Sequence, residues 1–362
     1  MRGASSFAGN VLVYRIGQLG DTLVAMPAIQ AIRTRYSRHK LTLLTDRHPA
    51  TTGFVSSWDV LGSIGWFDDV IYYEPGQTIW EMIRNALRVA EALRLRKLER
   101  VVNLAPERTR TADLRDKFFF RILAGVRHYD GERRRPTNVG QSMKGPPSPA
   151  KPEWRRLLDI VDPEAGAQTI NIQIPPAARQ SVAKLLAPFG DGSSPQMIAI
   201  GPGSKMPSKQ WPEDRYLEVG ALLLARFPRL HLILVGGRED HAIAARLSRA
   251  WGDRSHNCAG QLSIWESAAV IERCQLYFGN DSGAMHLAAF LGVPCVAIFS
   301  ARETPGRWDP IGPKHVVLRR NIDCAGCMLV VCNRNNECTR RIEVPEAFAS
   351  VSALLHDRLA QV

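Results

Sequence analysis

Leu276-Tyr-Phe-Gly-Asn280-Asp281-Ser282-Gly283-Ala-Met-His286-Leu-Ala-Ala-Phe-Leu-Gly292-Val-Pro294-Cys-Val-Ala-Ile-Phe299 joins two apolar runs through a polar turn and a helical stretch. The first run stops at Gly-Asn-Asp-Ser-Gly, the helical pattern ends at Gly292 and Pro294, and the second run is of strand type. Strand, tight turn, helix and strand in that order make a right-handed crossover, which places the turn at the carboxyl edge of a parallel sheet, where open α/β sheets bind ligands. Asp281 or Ser282 is expected to cap the helix, leaving its first N–H groups facing an anion such as a phosphate. An ordinary capped helix would look the same, so the remaining chain has to decide.

The same alternation recurs on both sides. Val11–Arg15 reads as a strand entering the turn Ile16-Gly17-Gln18-Leu19-Gly20-Asp21-Thr22, followed by a helical run in which Pro27 either opens or kinks the helix. The glycine spacing is not G-x-G-x-x-G, so the dinucleotide fingerprint is absent. Leu41–Leu44, Val70–Tyr73 and Arg100–Leu104 are further strands, and 78–98 is a long amphipathic helix. Residues 130–153, with Gly131–Pro136 and Met143–Pro149, break periodicity and read as an irregular surface connection. A second alternating set starts at Met197–Ile200 and its turn Gly201-Pro202-Gly203-Ser204. It continues through helix 213–226, strand Leu230–Val235, helix 241–251, helix 264–273 and the opening stretch to a last helix over 345–360. This is an α/β chain of two doubly wound domains, expected at 1–174 and 175–362, with the last helix able to pack back on the N-terminal domain.

The 362 residues are 45% hydrophobic and 23% charged, an ordinary globular balance too long for a single core. No apolar stretch approaches the roughly 18–20 residues that span a bilayer, and Met1–Asn10 lack the apolar centre of an export signal. A cytoplasmic protein is expected. Lys and Arg number 47 against 35 Asp and Glu, and the resulting +12 favours an acidic partner. Zinc-finger, RNP and basic-zipper patterns are missing, which argues against nucleic acid and for a phosphorylated substrate or an anionic membrane surface. Basic residues concentrate at Arg84, Arg88, Arg94, Arg96, Lys97 and Arg100 and again at Arg133–Arg135. Four of seven cysteines, Cys324, Cys327, Cys332 and Cys338, fall in one segment, which in a reducing compartment suggests a structural zinc or free thiols.

Taken together, the motifs resemble the ADP-heptose:lipopolysaccharide heptosyltransferase family, inverting glycosyltransferases of the GT-B fold with two Rossmann-like domains facing a central cleft. Arg15-Ile-Gly-Gln-Leu-Gly20-Asp21-Thr22 with Pro27 is similar to the family's N-terminal signature. Gly201–Ser204 with Lys209-Gln210-Trp211-Pro212 resembles its second motif, and Asn280–Ala289 its third. Ser282 stands where many relatives have Thr, and Gly201 where His is frequent. The resemblance implies an acceptor-binding first domain and a nucleotide-sugar-binding second domain. It implies Asp21 as the base that takes the acceptor proton and Lys209 as the cation at the departing diphosphate, with Gly20, Thr22, Gly203, Ser204, Asp281, Ser282, Gly283 and His286 around the donor. Each has a plainer reading: Asp21 as a helix cap, Lys209 as a surface cation, His286 as a buried supporting histidine. No catalytic metal or other cofactor is implied. The expected activity moves a heptose or related sugar from a nucleotide-diphosphate sugar, ADP-heptose by resemblance, to a lipopolysaccharide-type or other cell-surface glycan acceptor, an anionic glycolipid or glycan, with peripheral contact at the inner face of the cytoplasmic membrane. A nucleotide-sugar epimerase and a non-catalytic nucleotide-sugar-binding protein are the alternatives.

Overall fold

The computed structural model describes residues 9–48, 53–74, 76, 78–106, 110–131, 150–166, 170, 173–189 and 196–360. Arg133–Arg135 and Met143–Pro149 lie outside them. Two compact units result, one holding the described residues up to Gly131 and Glu153–Ile170, the other holding 150–152 and Gln173 onward.

The first unit runs β1 (Asn10–Tyr14), α1 (Leu19–Arg35), β2 (Leu41–Asp46), α2 (Ser57–Leu61), β3 (Asp69–Tyr73), α3 (Ile79–Leu95), β4 (Leu98–Asn103), α4 (Arg110–Phe118), β5 (His128–Asp130) and α5 (Glu153–Val161). Its sheet is parallel, in the order β3-β2-β1-β4-β5. β2 is buried along its whole length, as a strand covered on both faces must be. Leu12, Leu44, Val89, Leu93, Val101 and Phe120 close one side of the core. α1 and α5 pack together, and Arg35 Nη1 donates to the Val161 carbonyl at 2.7 Å. Pro27 does not open α1: it lies buried inside the helix. α4 runs on into a π turn, Phe119–Leu123, which packs against α3.

The second unit runs α6 (Pro176–Leu186), β6 (Gln196–Gly201), α7 (Glu213–Arg226), β7 (Leu230–Leu234), α8 (His241–Trp251), β8 (Ser255–Asn257), α9 (Ile264–Glu272), β9 (Leu276–Asn280), α10 (Gly283–Phe290), β10 (Cys295–Phe299), β11 (His315–Arg319), α11 (Glu337–Arg340) and α12 (Val344–Leu359). Its sheet is parallel in the order β11-β10-β9-β6-β7-β8, so the chain reverses direction across the sheet between β6 and β9. Trp211 packs edge to face on Tyr216 of α7 and on Phe278, and Tyr216 and Phe278 are tilted together, at centroid separations of 5.0–6.0 Å. Val344, Ala347, Val351 and Leu355 put the apolar face of α12 into this same core, against α7, β9 and β10. Burial of its apolar face in the second unit holds this helix. Among the described residues no helix is long and apolar enough to cross a membrane.

Candidate active site

Where a doubly wound sheet reverses, the loops after the two diverging strands part and leave a crevice at their carboxyl ends. In the second unit those strands are β6 and β9, paired in register at Gly201 and Gly279, and the loops are the two motifs already singled out. Both glycines are required by what lies beside them. A Cβ on Gly201 would meet the Tyr277 hydroxyl at 2.0 Å, and one on Gly203 would meet Asp240 Oδ1 at 1.8 Å. Burial lifts the Asp240 carboxyl to about 6, against the bond it accepts from Gly237 N–H.

Beyond Ser204 the chain makes a 3-10 turn, Pro207–Lys209, that aims Lys209 back at the loop after β9. Lys209 Nζ lies 2.7 Å from Asp281 Oδ2, with the two side chains only 14% and 7% exposed. His286, nearly buried one turn into α10, places Nε2 3.8 Å from Asp281 Oδ1. Lys209 is therefore no surface cation, and Asp281 is no helix cap. Ser282 occupies the N-cap position without capping, its hydroxyl 3.2 Å from the Tyr277 hydroxyl. Gly283 opens α10, so the first N–H groups of the helix carry no side-chain cap. A buried pair of this kind is costly to break, about 3–5 kcal/mol when one partner is removed, because the other charge is stranded.

Asn280, fully buried, was not singled out in the sequence, yet it joins the two motifs. Its Oδ1 accepts from Trp211 N–H and Tyr216 O–H, both at 3.0 Å, and its Nδ2 donates to the Pro202 carbonyl at 2.7 Å. Ser204 adds a local tie, its carbonyl accepting from Gln210 Nε2 at 2.9 Å.

The cysteine-bearing segment fastens the Lys209 turn from the other side. Ser208 donates through N–H to the Val330 carbonyl and through Oγ to the Leu329 carbonyl. Asn336 Nδ2 donates to the carbonyls of Pro207 and Gln210, and Thr339 Oγ1 to that of Gln210. Of the two readings of Cys324, Cys327, Cys332 and Cys338, zinc is not supported and the four are free thiols. Among the described residues no three His, Cys, Asp or Glu side chains are placed to hold a metal, and burial raises the thiols of Cys324 and Cys338, favouring the neutral form over a ligating thiolate.

In the first unit the reversal falls between β1 and β4, and the turn after β1 carries Asp21. Gly17 takes φ of +121°, a conformation open to glycine, and its N–H donates to Asp46 Oδ1 at 3.2 Å. Asp21 Oδ2 accepts from Gln18 N–H at 2.9 Å, which is a cap. Its Oδ1 lies 3.7 Å from Arg15 Nη2, and the carboxylate remains 28% exposed. Arg15 is fully buried and also donates to the carbonyls of Leu104 and Asp21, fixing the turn to β4. Gly20 lies in the first turn of α1. Thr22 is fully buried with its hydroxyl engaged by the Gln18 carbonyl at 3.2 Å and Ser57 Oγ at 2.8 Å, so its side chain serves the fold here.

Residues 161–336 match the family model described as glycosyltransferase family 9 (heptosyltransferase). Lipopolysaccharide heptosyltransferase 2 of Escherichia coli K12 is 31% identical over 136 residues, 36% of this chain and 38% of that protein, so the chain aligns with little more than a third of the relative's length. Across nearly the whole chain the fold is that of the E. coli ADP-heptose lps heptosyltransferase II structure, with TM-score 0.68, 19% identity and coverage of 96% and 99%. It is likewise that of a family 9 glycosyltransferase from Veillonella parvula, with TM-score 0.72, 18% identity and coverage of 97% and 98%. Two doubly wound parallel sheets match the GT-B fold of these structures. Residues 161–336, which contain the Lys209–Asp281 pair and the uncapped start of α10, are thus similar to glycosyltransferase family 9 (heptosyltransferase).

Proposed function

We propose that the chain is an inverting glycosyltransferase that moves a heptose or closely related sugar from ADP-heptose to a lipopolysaccharide-type acceptor. The buried Lys209–Asp281 pair at the reversal of the second sheet, inside the family 9 match, carries this reading. A diphosphate leaving group needs positive charge and N–H donors where negative charge develops. Lys209 keeps two ammonium N–H donors beyond its contact with Asp281, and the first N–H groups of α10 supply the helix-end field.

In this account the second unit binds the donor and the first presents the acceptor's base. The acceptor hydroxyl oxygen bonds to the anomeric carbon as the bond from that carbon to the phosphate oxygen breaks. The hydroxyl proton passes to Asp21, and the electron pair leaves on ADP, held by Lys209. One displacement inverts the anomeric centre. The cap that Asp21 makes uses Oδ2, so the proton goes to Oδ1, which lies 3.7 Å from Arg15 Nη2. An epimerase would need no acceptor base in this turn, and the heptosyltransferase family match disfavours it. The excess of 12 positive charges suits an anionic glycolipid acceptor and reversible, salt-sensitive attachment at the inner face of the cytoplasmic membrane.

A thermal-shift panel tests the donor half, because a ligand that binds only the folded state raises apparent stability by about 2.7 kcal/mol at a hundredfold excess over Kd. ADP and ADP-heptose are expected to raise the midpoint. A rise with UDP-sugars alone would move the donor assignment, and no rise with any nucleotide would overturn the reading.

A further inference from the structure

The first half of α3 buries nothing. Its buried residues begin at Val89, whereas Ile79, Trp80, Met82, Ile83 and Leu87 all stand in solvent, Trp80 at 81% exposure. Ile79, Ile83 and Leu87 repeat at i, i+4 and i+8, so they form one ladder on the helix. A second ladder at the same spacing, Leu114, Phe118 and Ile122, runs along α4 and its π turn, with Phe118 58% exposed. α3 packs against that π turn, so the two ladders belong to neighbouring elements of one unit. Apolar side chains at helical spacing ordinarily serve a core, and scattered exposed ones need no explanation. Six large ones in two such ladders mark an interaction surface.

Charge selects the occupant. Ile79–Lys97 carries five basic and two acidic residues, and so does Arg110–Arg127. Arg84, Arg88, Arg94, Arg115 and Arg121 are exposed along these helices. A second copy docking through the same face would bring like charges together. An anionic lipid surface offers acyl carbon to the ladders, phosphate to the arginines, and a headgroup boundary suited to the half-polar ring of Trp80.

We propose that the α3–α4 face is a membrane-docking surface that inserts its two apolar ladders into the headgroup region of an anionic bilayer while the flanking arginines meet phosphate. The proposal deepens the peripheral attachment argued above and is independent of the transfer chemistry. It adds an apolar component that salt alone does not abolish.

The test is co-sedimentation of the full chain with vesicles of about one-third anionic phospholipid at 0.15 M and 0.5 M salt. The variants are Ile83→Glu, Phe118→Glu and a control, Leu222→Glu, exposed on α7 of the second unit. Unchanged thermal midpoints establish that the exposed substitutions leave the fold intact. Each ladder variant is expected to weaken vesicle binding about tenfold or more, since a charge replaces an inserted apolar group. The control is expected to bind as the parent does. Brominated lipid is expected to quench tryptophan emission of the parent, and most of that quenching to vanish in Trp80→Phe. Ladder variants that bind like the parent, with attachment fully reversed by salt, would overturn the docking face and leave electrostatic attachment standing. A parent that binds no vesicles would remove both. A parent dimer that the ladder variants convert to monomers, with vesicle binding unaffected, would assign the face to a second copy instead.

Discussion

Asn280 and Asp281 are adjacent in sequence and divide the work at the end of β9. The amide has both a donor and an acceptor, so Asn280 can lie fully buried between two motifs and satisfy each with neutral bonds. The carboxylate cannot be buried alone, and it is held by the Lys209 ammonium. Asp21 combines a cap with the proposed base, and substitution separates the two roles. Asn in place of Asp21 keeps an oxygen for Gln18 N–H but loses the anion that faces the buried Arg15, so Asp21→Asn is expected to lower the thermal midpoint while keeping donor affinity. Its turnover is expected to fall by about 10²–10⁴. Near-normal turnover at saturating donor would leave Asp21 a cap only.

Asp240 gives a second residue-scale prediction. Burial raises its folded-state pKa to about 6, above the unfolded value near 4, so between those pH values the native state holds a proton that the unfolded chain has released. Stability from this group therefore falls as pH rises through that window and stays lower above it. Asp240→Asn is expected to be more stable than the parent above about pH 6, by no more than about 2 kcal/mol given its partial exposure. The difference is expected to vanish below about pH 4. Urea midpoints of the two proteins across this range measure it, and a constant difference would contradict the assignment.

At the level of elements, the segment from Leu329 to Thr339 acts as a brace for the turn that carries Lys209. Asn336 sits at φ of +51°, a conformation glycine tolerates, so Asn336→Gly removes two bonds to the turn without adding backbone strain. Loss of about 1–2 kcal/mol is expected, accompanied by a fall in turnover of roughly tenfold as Lys209 loses its fixed position. Thr339→Ser keeps the hydroxyl and is expected to retain turnover. A stability loss in Asn336→Gly with turnover unchanged would reduce the brace to a structural contact. The four cysteines, free thiols in the structure, mark this segment in the sequence but take no part in the brace. Its function here rests largely on backbone carbonyls, which every residue carries and which leave no mark in a sequence.

Other elements were legible wherever a period met a clear stop. Helices 213–226 and 241–251 lie where the apolar spacing between Pro212, Gly236 and Gly252 puts them. β5 and β8 have three residues each, too few to show an alternation, and β11 follows a Gly- and Pro-rich stretch at the sheet edge. α4 was missed for another reason: its ladder faces solvent, so its apolar spacing is interleaved with charge rather than matched to a core. Of the site, the three motif turns were visible because their glycines and charges cluster. The Lys209–Asp281 pairing, the role of Asn280 and the inward turn of Thr22 come from contacts between segments as many as 78 residues apart, as for Asn280 and Pro202, and adjacency in sequence does not encode them.

For the whole molecule, the proposed reading has donor and acceptor bound by separate doubly wound units, each offering the loops at its own strand reversal. One lysine, one helix end and one carboxylate then suffice for a single displacement. The measurement that bears most directly on this account is product analysis of one reaction, with purified protein, ADP-heptose and a heptose-deficient lipopolysaccharide acceptor. The account predicts ADP and heptose-extended acceptor in equal amounts, the new bond having the opposite anomeric configuration to the donor. A changed sugar still attached to its nucleotide, an extended acceptor with retained configuration, or no product above spontaneous hydrolysis would contradict it.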